Sequence, residues 1–326
     1  MSSWFEKLVG FRESAVSNVA DHFLVDNEYI TSTPNGRRIR YGRFETLTLA
    51  QLRTRVDGLY LLGGRPKVRE VVADVKSLHA DAENANTVFQ VASQFNTLEM
   101  VGPGVTPDSG ITQYEHDHTQ GPACAMSCGG GLIYRNYLVP LGRNVGQTAF
   151  RQLNLLATVS AAMGVDIPVR NGYALPSTAQ LNEINDRLAA MTDLQRDRVR
   201  SQFAIGVQWN TEVTLNDAGH TVTQVFCSAM PISYSPVETE VWEPLARLTL
   251  EAAYESTIAV GTVNAHLTGN RTVYLTLLGG GAFGNPTEWI LNAIDRAVRL
   301  TFREDLDIVI VSFGRPNPEL GRLLTN

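Results

Sequence analysis

Short apolar runs rich in β-branched residues alternate along the chain with longer segments in which apolar residues recur at helical spacing. The apolar runs predict buried strands at 68–75, 88–92, 272–278 and 306–313. Two further runs, 204–214 and 221–234, flank a turn rich in Asn, Asp and Gly and predict a β-hairpin. Strands that alternate with helices in this way predict an α/β fold with a partly parallel sheet.

Helical spacing of the apolar residues predicts a helix that begins at Trp4 with Ser3 as its cap, and several others. These others are expected at 48–57, 123–137, 149–163, 179–200 (one or two helices), 242–267 and 286–302. Three consecutive glycines, 129–131, lie inside the helix expected at 123–137. Because each interior glycine costs about 1 kcal/mol relative to alanine, they mark either a break or a close backbone approach.

The N-terminal part of the chain mixes short amphipathic pieces with turn signals such as residues 33–36. We interpret residues 1–65 as an extension packed on a main domain of residues 66–326. A helical insertion is expected within that domain at about 140–200.

The composition is that of a globular protein, with 326 residues, 44% hydrophobic, 18% charged and a formal net charge of −6. No run of Lys and Arg interleaved with aromatics occurs, so we expect no nucleic-acid partner. No apolar stretch reaches the roughly 18 residues of a membrane span, and the first residues lack a signal-peptide pattern. Three cysteines without zinc-like spacing, Cys124, Cys128 and Cys227, favour a reducing compartment. A cytoplasmic monomer without membrane contact is expected.

The segment 108–122 carries the densest chemistry, with Asp108, Glu115, Asp117 and two histidines within eleven residues. The three carboxylates suit two roles: binding a hard cation, or orienting a sugar hydroxyl and activating water. His116 and His118 alternate with the acids, which is weakly suited to metal binding. A solvated acidic loop explains the same residues, and all three interpretations stay open.

A second stretch, 273–286, has the sequence VYLTLLGGGAFGNP and joins a predicted strand to a predicted helix. Glycines there allow backbone N–H groups to approach an anion closely, so phosphate is a natural ligand. The stretch lacks the Gly-Lys-Ser/Thr of a P-loop and the GxGxxG of a dinucleotide site. Phe283 stands among the glycines, where we expect it to stack on a ligand ring for want of other partners.

Several motifs together resemble the macrodomain superfamily, whose members bind ADP-ribose. The matching motifs are QVASQFNTLEM, GITQYEHDHTQGPACA, YRNY, RNGYAL, QWNTEVT, QVFCSAMPISYS and LTLLGGGAFGN, spread over nearly the whole chain. They are similar to a macrodomain subfamily that includes a bacterial effector which removes ADP-ribose from ubiquitin. The resemblance implies a three-layer α/β/α fold with a mixed central sheet, an N-terminal extension and helical insertions.

The resemblance also implies roles for individual residues: Asp74 would bind the adenine amino group, and Phe283 would lie near the distal ribose. The ADP-ribose contacts it implies are Asp74, Val75, Asn96, Gly110, Ile111, Tyr114, Thr119, Gln120, Gly279, Gly280, Gly281, Ala282, Phe283, Gly284 and Asn285. The catalytic acids it implies are Asp108, Glu115 and Asp117. Two departures from the superfamily pattern stand out. SQFNTLEMVGPG replaces the usual Asn-Ala-Ala-Asn glycine loop, and the Gln-Glu-Glu of poly-ADP-ribose glycohydrolases is only partly echoed by residues 113–115.

The function expected from the sequence is hydrolysis of ADP-ribose from a modified protein, with ubiquitin as one candidate. No cofactor is expected beyond ADP-ribose as ligand or product, and no metal is required. A reader that binds ADP-ribose without catalysis is the main alternative. A metal-dependent phosphohydrolase that uses the same acids with His116 and His118 is the third.

Overall fold

The chain was analysed as a computed structural model, which describes residues 2–15 and 17–325. Its strands are β1 (Phe23–Asp26), β2 (Tyr29–Ser32), β3 (Arg38–Arg40), β4 (Arg43–Thr48), β5 (Lys67–Val72), β6 (Val88–Ala92), β7 (Pro140–Leu141), β8 (Asn144–Val145), β9 (Val169–Arg170), β10 (Tyr173–Ala174), β11 (Ala204–Glu212), β12 (Thr221–Cys227), β13 (Thr272–Leu275) and β14 (Asp307–Ser312). Its helices are α1 (Trp4–Val9), α2 (Leu49–Asp57), α3 (Val75–Ala80), α4 (Gln120–Ser127), α5 (Gly129–Ile133), α6 (Ala157–Met163), α7 (Thr178–Ala190), α8 (Asp193–Arg200), α9 (Thr239–Thr268) and α10 (Thr287–Leu300).

Local sequence signals fix several helix starts. Ser3 accepts a hydrogen bond from the Glu6 amide at the start of α1. The helices α2, α7 and α8 each begin with a capping box, in which a Ser or Thr and a Gln three residues later satisfy each other's backbone amides.

Seven strands form the central sheet in the order β4-β11-β12-β6-β13-β14-β5. Strand β11 is antiparallel to both of its neighbours, and the other neighbouring pairs are parallel. The carboxyl ends of β6, β12 and β13 therefore meet at one edge of the sheet.

Both faces of the sheet are covered by helices because successive residues of each strand point to opposite sides. In β6, Val88 belongs to the large core that includes residues of α9 and α10. The next residue, Phe89, and then Val91 join clusters on the other face, where α3 and α4 supply Leu78 and Cys124. The expected α/β architecture with a mixed sheet is confirmed.

The sheet opens between β6 and β13 towards their carboxyl ends. Strand β6 pairs with β12 over five positions, but with β13 only at Val88 and Phe89. Beyond that point the Gln120 side chain takes the place of a strand: it donates to the Gln90 carbonyl and accepts from the Ala92 amide, both at 2.8 Å. The carboxyl ends of β6 and β13 therefore do not pair with each other, and Gln120 occupies the free edge of β6.

Several expected elements differ in extent: the strands expected at 221–234 and 272–278 end at Cys227 and Leu275, and the helix expected at 123–137 is divided into α4 and α5. The helix expected at 149–163 is confined to α6. The residues before it make tertiary hydrogen bonds instead of helical ones; for example, the Leu155 amide donates to the Phe95 carbonyl. The strand expected at 68–75 ends at Val72, because Asp74 caps α3. The division at residue 65 stays a prediction, although β4 belongs to the central sheet. Among the described residues, no helix is both long and apolar enough to cross a membrane.

Candidate functional site

A cleft of about 870 Å³ lies at the opening between β6 and β13. Its volume is in the range of about 300–1,000 Å³ that small-molecule sites occupy. One side is formed by residues 276–283, which follow β13, and the opposite border by residues 109–122. We call residues 276–285 the glycine wall and residues 108–120 the acidic wall. Ligands of open α/β sheets bind at such carboxyl ends of strands.

The glycine wall is a tight loop whose ends are tied together. The Asn285 amide donates to the Gly279 carbonyl at 2.9 Å, and the Asn285 side chain donates to the Met230 carbonyl at 2.8 Å. Gly279 has a φ of +76°, and a Cβ there would lie 2.4 Å from that of Ala229, so no other residue fits without rearrangement.

The amides at the tip of the glycine wall are unengaged. Within the described part of the chain, the N–H groups of Gly281, Ala282 and Phe283 donate to no protein acceptor. Gly281, Ala282 and Phe283 also line the cleft, with the first two exposed. Consecutive free N–H groups form the concave donor surface that binds an anion such as a diphosphate.

The three acids expected to act together are not brought together. Asp117 lines the cleft. Asp108 lies on a second cavity of about 720 Å³ and accepts a hydrogen bond from the Ala149 amide at 2.7 Å. Glu115 accepts from the Trp4 amide at 3.2 Å and does not line the cleft. Of the three, Asp117 alone is placed to meet a ligand there.

Asp117 is also tied to its own loop. One of its oxygens accepts from both the amide and the hydroxyl of Thr119, at 2.9 and 2.6 Å. The second carboxylate oxygen is left for a ligand. Gly110, Tyr114, Thr119 and Gln120 line the cleft as well, although Gln120 is committed to β6.

Other expected ligand contacts lie outside the cleft lining. Asp74 caps α3 by accepting from the Lys76 amide at 2.8 Å, with Val75 buried behind it. Asn96 is fully buried and bonds Leu98 and Gln152. Further residues that do not line the cleft are Ile111, Gly280, Gly284 and Asn285.

The most unusual charged group of the cleft, Glu99, was not singled out from the sequence. Its side chain is 1% exposed, it lines the cleft, and its amide donates to the Tyr114 hydroxyl at 2.7 Å. Burial raises the pKa of Glu99 to about 8, although the charge of Arg135 and the nearby Tyr114 hydroxyl lower it. A lone glutamate in an apolar run gives no pattern from which this burial can be read.

An aromatic cluster lines the same cleft. The Phe283 ring lies 5.4 Å from that of Tyr173 and 5.7 Å from that of Tyr234, between ring centroids. The expectation that Phe283 lacks protein partners is therefore wrong, since the loop after β12 and the strand β10 supply them. The motifs RNGYAL and AMPISYS contain these tyrosines but do not reveal that they meet.

Among the described residues, no three His, Cys, Asp or Glu side chains are grouped so that they could hold a metal ion. His116 and His118 are exposed and line the cleft beside Asp117.

Comparison with known proteins gives a structural likeness and no sequence relative. No protein-family model and no curated protein matches the chain. A poly(ADP-ribose) glycohydrolase from Thermomonospora curvata is 15% identical over 90% of this chain and 91% of that one, with a TM-score of 0.43. The Deinococcus radiodurans enzyme in apo form is 10% identical over 85% and 87%, with a TM-score of 0.42. Its complex with ADP-ribose is 11% identical over 85% and 89%, with a TM-score of 0.43. Values this low leave the function to be inferred from the site itself.

Proposed function

We propose that the protein binds ADP-ribose in the cleft and hydrolyses the bond between its distal ribose and a modified protein. The observation that carries the proposal is the combination, in one cleft, of three unengaged amides on the glycine wall with the carboxylate of Asp117 on the acidic wall. The same cleft thereby offers donor groups to an anion and a carboxylate to a sugar.

In this proposal the glycine wall holds the diphosphate through the N–H groups of Gly281, Ala282 and Phe283. Tyr173, Tyr234 and Phe283 supply a mostly apolar surface for the face of a sugar. The transition state of glycoside hydrolysis carries positive charge at the anomeric carbon, which the Asp117 carboxylate stabilises.

The identity of the acceptor is the finer part of the proposal. Ubiquitin is the first acceptor to test, because of the resemblance of the motifs. The macrodomain assignment, the monomeric state and a cytoplasmic location belong to the same proposal and rest on that resemblance and on composition.

One observation favours a non-catalytic reader as the second candidate. Asp108 and Glu115 are bound to the amides of Ala149 and Trp4, so a single member of the acidic cluster lines the cleft. A reader needs hydrogen bonds to the ribose and no group that activates water.

Calorimetric titration with ADP-ribose, with AMP as control, tests the binding step. Release of ADP-ribose from a panel of ADP-ribosylated proteins, ubiquitin among them, is then measured by chromatography. We expect ADP-ribose to bind more tightly than AMP and to be released from at least one protein. Binding without any release would favour the reader, and no binding at millimolar ADP-ribose would contradict both.

A further inference from the structure

A second cavity, of about 720 Å³, adjoins the cleft. It is bordered by part of the acidic wall, by residues of the N-terminal segment and by residues of the segment 145–151. Ser109, Gly110 and Gln113 line both the cavity and the cleft, so residues 109–113, which we call the ridge, form the border between them. A molecule that fills the cleft and extends beyond this border therefore enters the cavity.

The ridge is fixed in place and presents free polar groups. The Glu13 carboxylate binds the amides of residues 111 and 112, and a Cβ built on Gly110 would lie 2.3 Å from one of its oxygens. The side chains of Ser109 and Gln113 are exposed and make no hydrogen bond within the described part of the chain. A hydroxyl and an amide are thus held ready on a rigid segment, which lowers the entropic cost of binding a partner there.

A fully exposed aromatic ring stands on an ordered turn at the rim of the cavity. Thr148 and Arg151 line the cavity and exchange backbone hydrogen bonds at 2.8 and 3.2 Å, and Asp108 binds the amide between them. Phe150, at the tip of this turn, is 100% exposed, the highest value for a large apolar side chain among the described residues. Val145 lines the cavity and is 56% exposed. An aromatic side chain that an ordered turn holds in water is typical of an anchor for a protein partner.

The charged side chains that line the cavity are engaged within the protein. Those of Glu6 and Arg12 bond each other, and those of Glu13, Asp108 and Arg151 bond backbone groups. The cavity therefore offers no set of unpaired charges that would converge on a small charged ligand. What it offers freely is apolar surface and neutral hydrogen-bonding groups, which is the composition found at the centre of protein interfaces.

We propose that the ridge, the cavity and Phe150 form the surface on which the modified protein docks, with an apolar side chain of that protein packed against Phe150 and Val145. The inference rests on the hydrolysis proposed above and names the surface that recognises the protein part of the substrate. Asp117, which acts on the bond between ribose and protein in that proposal, belongs to the same wall as the ridge. The attached protein therefore lies beside the ridge while its ADP-ribose fills the cleft.

Contacts on this surface lie away from the bond that is cut. They are made equally well in the ground state and in the transition state, so they lower KM without raising kcat. A docking residue is thereby distinguished from a residue of the cleft, whose loss changes kcat or the affinity for ADP-ribose.

The test uses the full chain with Phe150→Ala. The substrate is ADP-ribosylated ubiquitin, or the protein of the panel from which ADP-ribose is released if that is another one. We expect KM to rise at least about tenfold, while kcat stays within about twofold. Because the ring is fully exposed, its removal leaves the fold intact, and the calorimetric affinity for ADP-ribose should stay within about twofold. Val145→Asp, which places a charge in the apolar part of the surface, should raise KM in the same way.

Phe302→Ala is the matched control, since Phe302 is 57% exposed and precedes β14 at the opposite end of the sheet. Its KM and kcat should stay within about twofold of the wild type. A KM for Phe150→Ala equal to that of the control overturns the inference and leaves the proposed function standing. A tenfold loss of ADP-ribose affinity in Phe150→Ala overturns it as well, because the ring would then act on the cleft. A wild type that binds ADP-ribose but releases none from any protein overturns both.

Discussion

The glycine wall is closed by bonds within its own segment, whereas the acidic wall is also held by residues about one hundred positions away. Asn285 closes the glycine wall on Gly279, six residues earlier. In the acidic wall, Glu13 accepts from the amides of Ile111 and Thr112, both at 2.9 Å, and Trp4 donates to Glu115. Because distant residues position the acidic wall, the local density of carboxylates does not specify which carboxylate contacts the ligand.

The largest effect is expected from Asp117→Asn, which keeps the bonds to Thr119 but removes the negative charge. Turnover should fall about 100-fold, or about 2.7 kcal/mol in activation free energy. Asp81→Asn is the matched control, because Asp81 accepts from the Glu83 amide two residues on, as Asp117 does from Thr119. Steady-state kinetics on an ADP-ribosylated protein measure both. Equal turnover by the two variants would make Asp117 a turn residue without a part in turnover.

The next effect is expected from Gly279→Val in the glycine wall. The positive φ and the contact with Ala229 force the loop to shift, which costs about 1–3 kcal/mol of unfolding free energy. Because the shift moves the free amides, ADP-ribose affinity should fall at least tenfold in calorimetry. For stability, Gly281→Ala is the control, since a Cβ there meets nothing within 4 Å. Equal unfolding free energies for the two variants would contradict the strain.

A smaller effect is expected from Glu13→Gln in the segment that holds the acidic wall. Each oxygen of the Glu13 carboxylate accepts from one amide, whereas glutamine has a single acceptor oxygen. We therefore expect the variant to lose about 1–2 kcal/mol of unfolding free energy. Residues 111 and 112 should become more accessible, and amide hydrogen exchange of residues 109–117 should rise. Exchange in the glycine wall should stay the same. A uniform rise across both walls would show that the walls are not independent.

The smallest effect is expected from Phe283→Leu, because Tyr173 and Tyr234 keep most of the apolar surface. ADP-ribose affinity should fall about threefold, or about 0.7 kcal/mol, within the range of one aromatic contact. Calorimetry at fixed salt measures it. A loss of more than thirtyfold would mean that Phe283 itself stacks on the ligand, as expected from the sequence.

The elements that local sequence encodes were predicted well. The strands at 88–92 and 306–313, the capping residue Ser3, the helix near 48–57 and the glycine turn after β13 depend on neighbours in the chain. Their periodicity and turn chemistry are therefore readable in a single sequence.

The two stretches singled out from the sequence line one cleft, but the contacts of their side chains were not foreseen. Glu99 is buried because α4 closes over it, and Asn96 is occupied because Gln152 reaches it, both of which are tertiary effects. The carboxylates of Asp108 and Glu115 accept hydrogen bonds from the amides of Ala149 and Trp4, which are tertiary contacts as well. No spacing in the sequence encodes these partners. The sequence therefore suggested three acids at the cleft, where the structure places Asp117 alone of the three.

The hydrogen bonds from the amides of Ile111 and Thr112 to Glu13 also decide which fragments of the chain keep the acidic wall in place. A fragment that starts at residue 66 would keep β6, β13 and the glycine wall but would lose the carboxylate that holds residues 111 and 112. It would also lose β4 from the central sheet, so under the proposed function we expect it to lose turnover. Any chimera that carries the cleft must therefore also carry the segment from Trp4 to Glu13, although it lies about one hundred positions before the acidic wall.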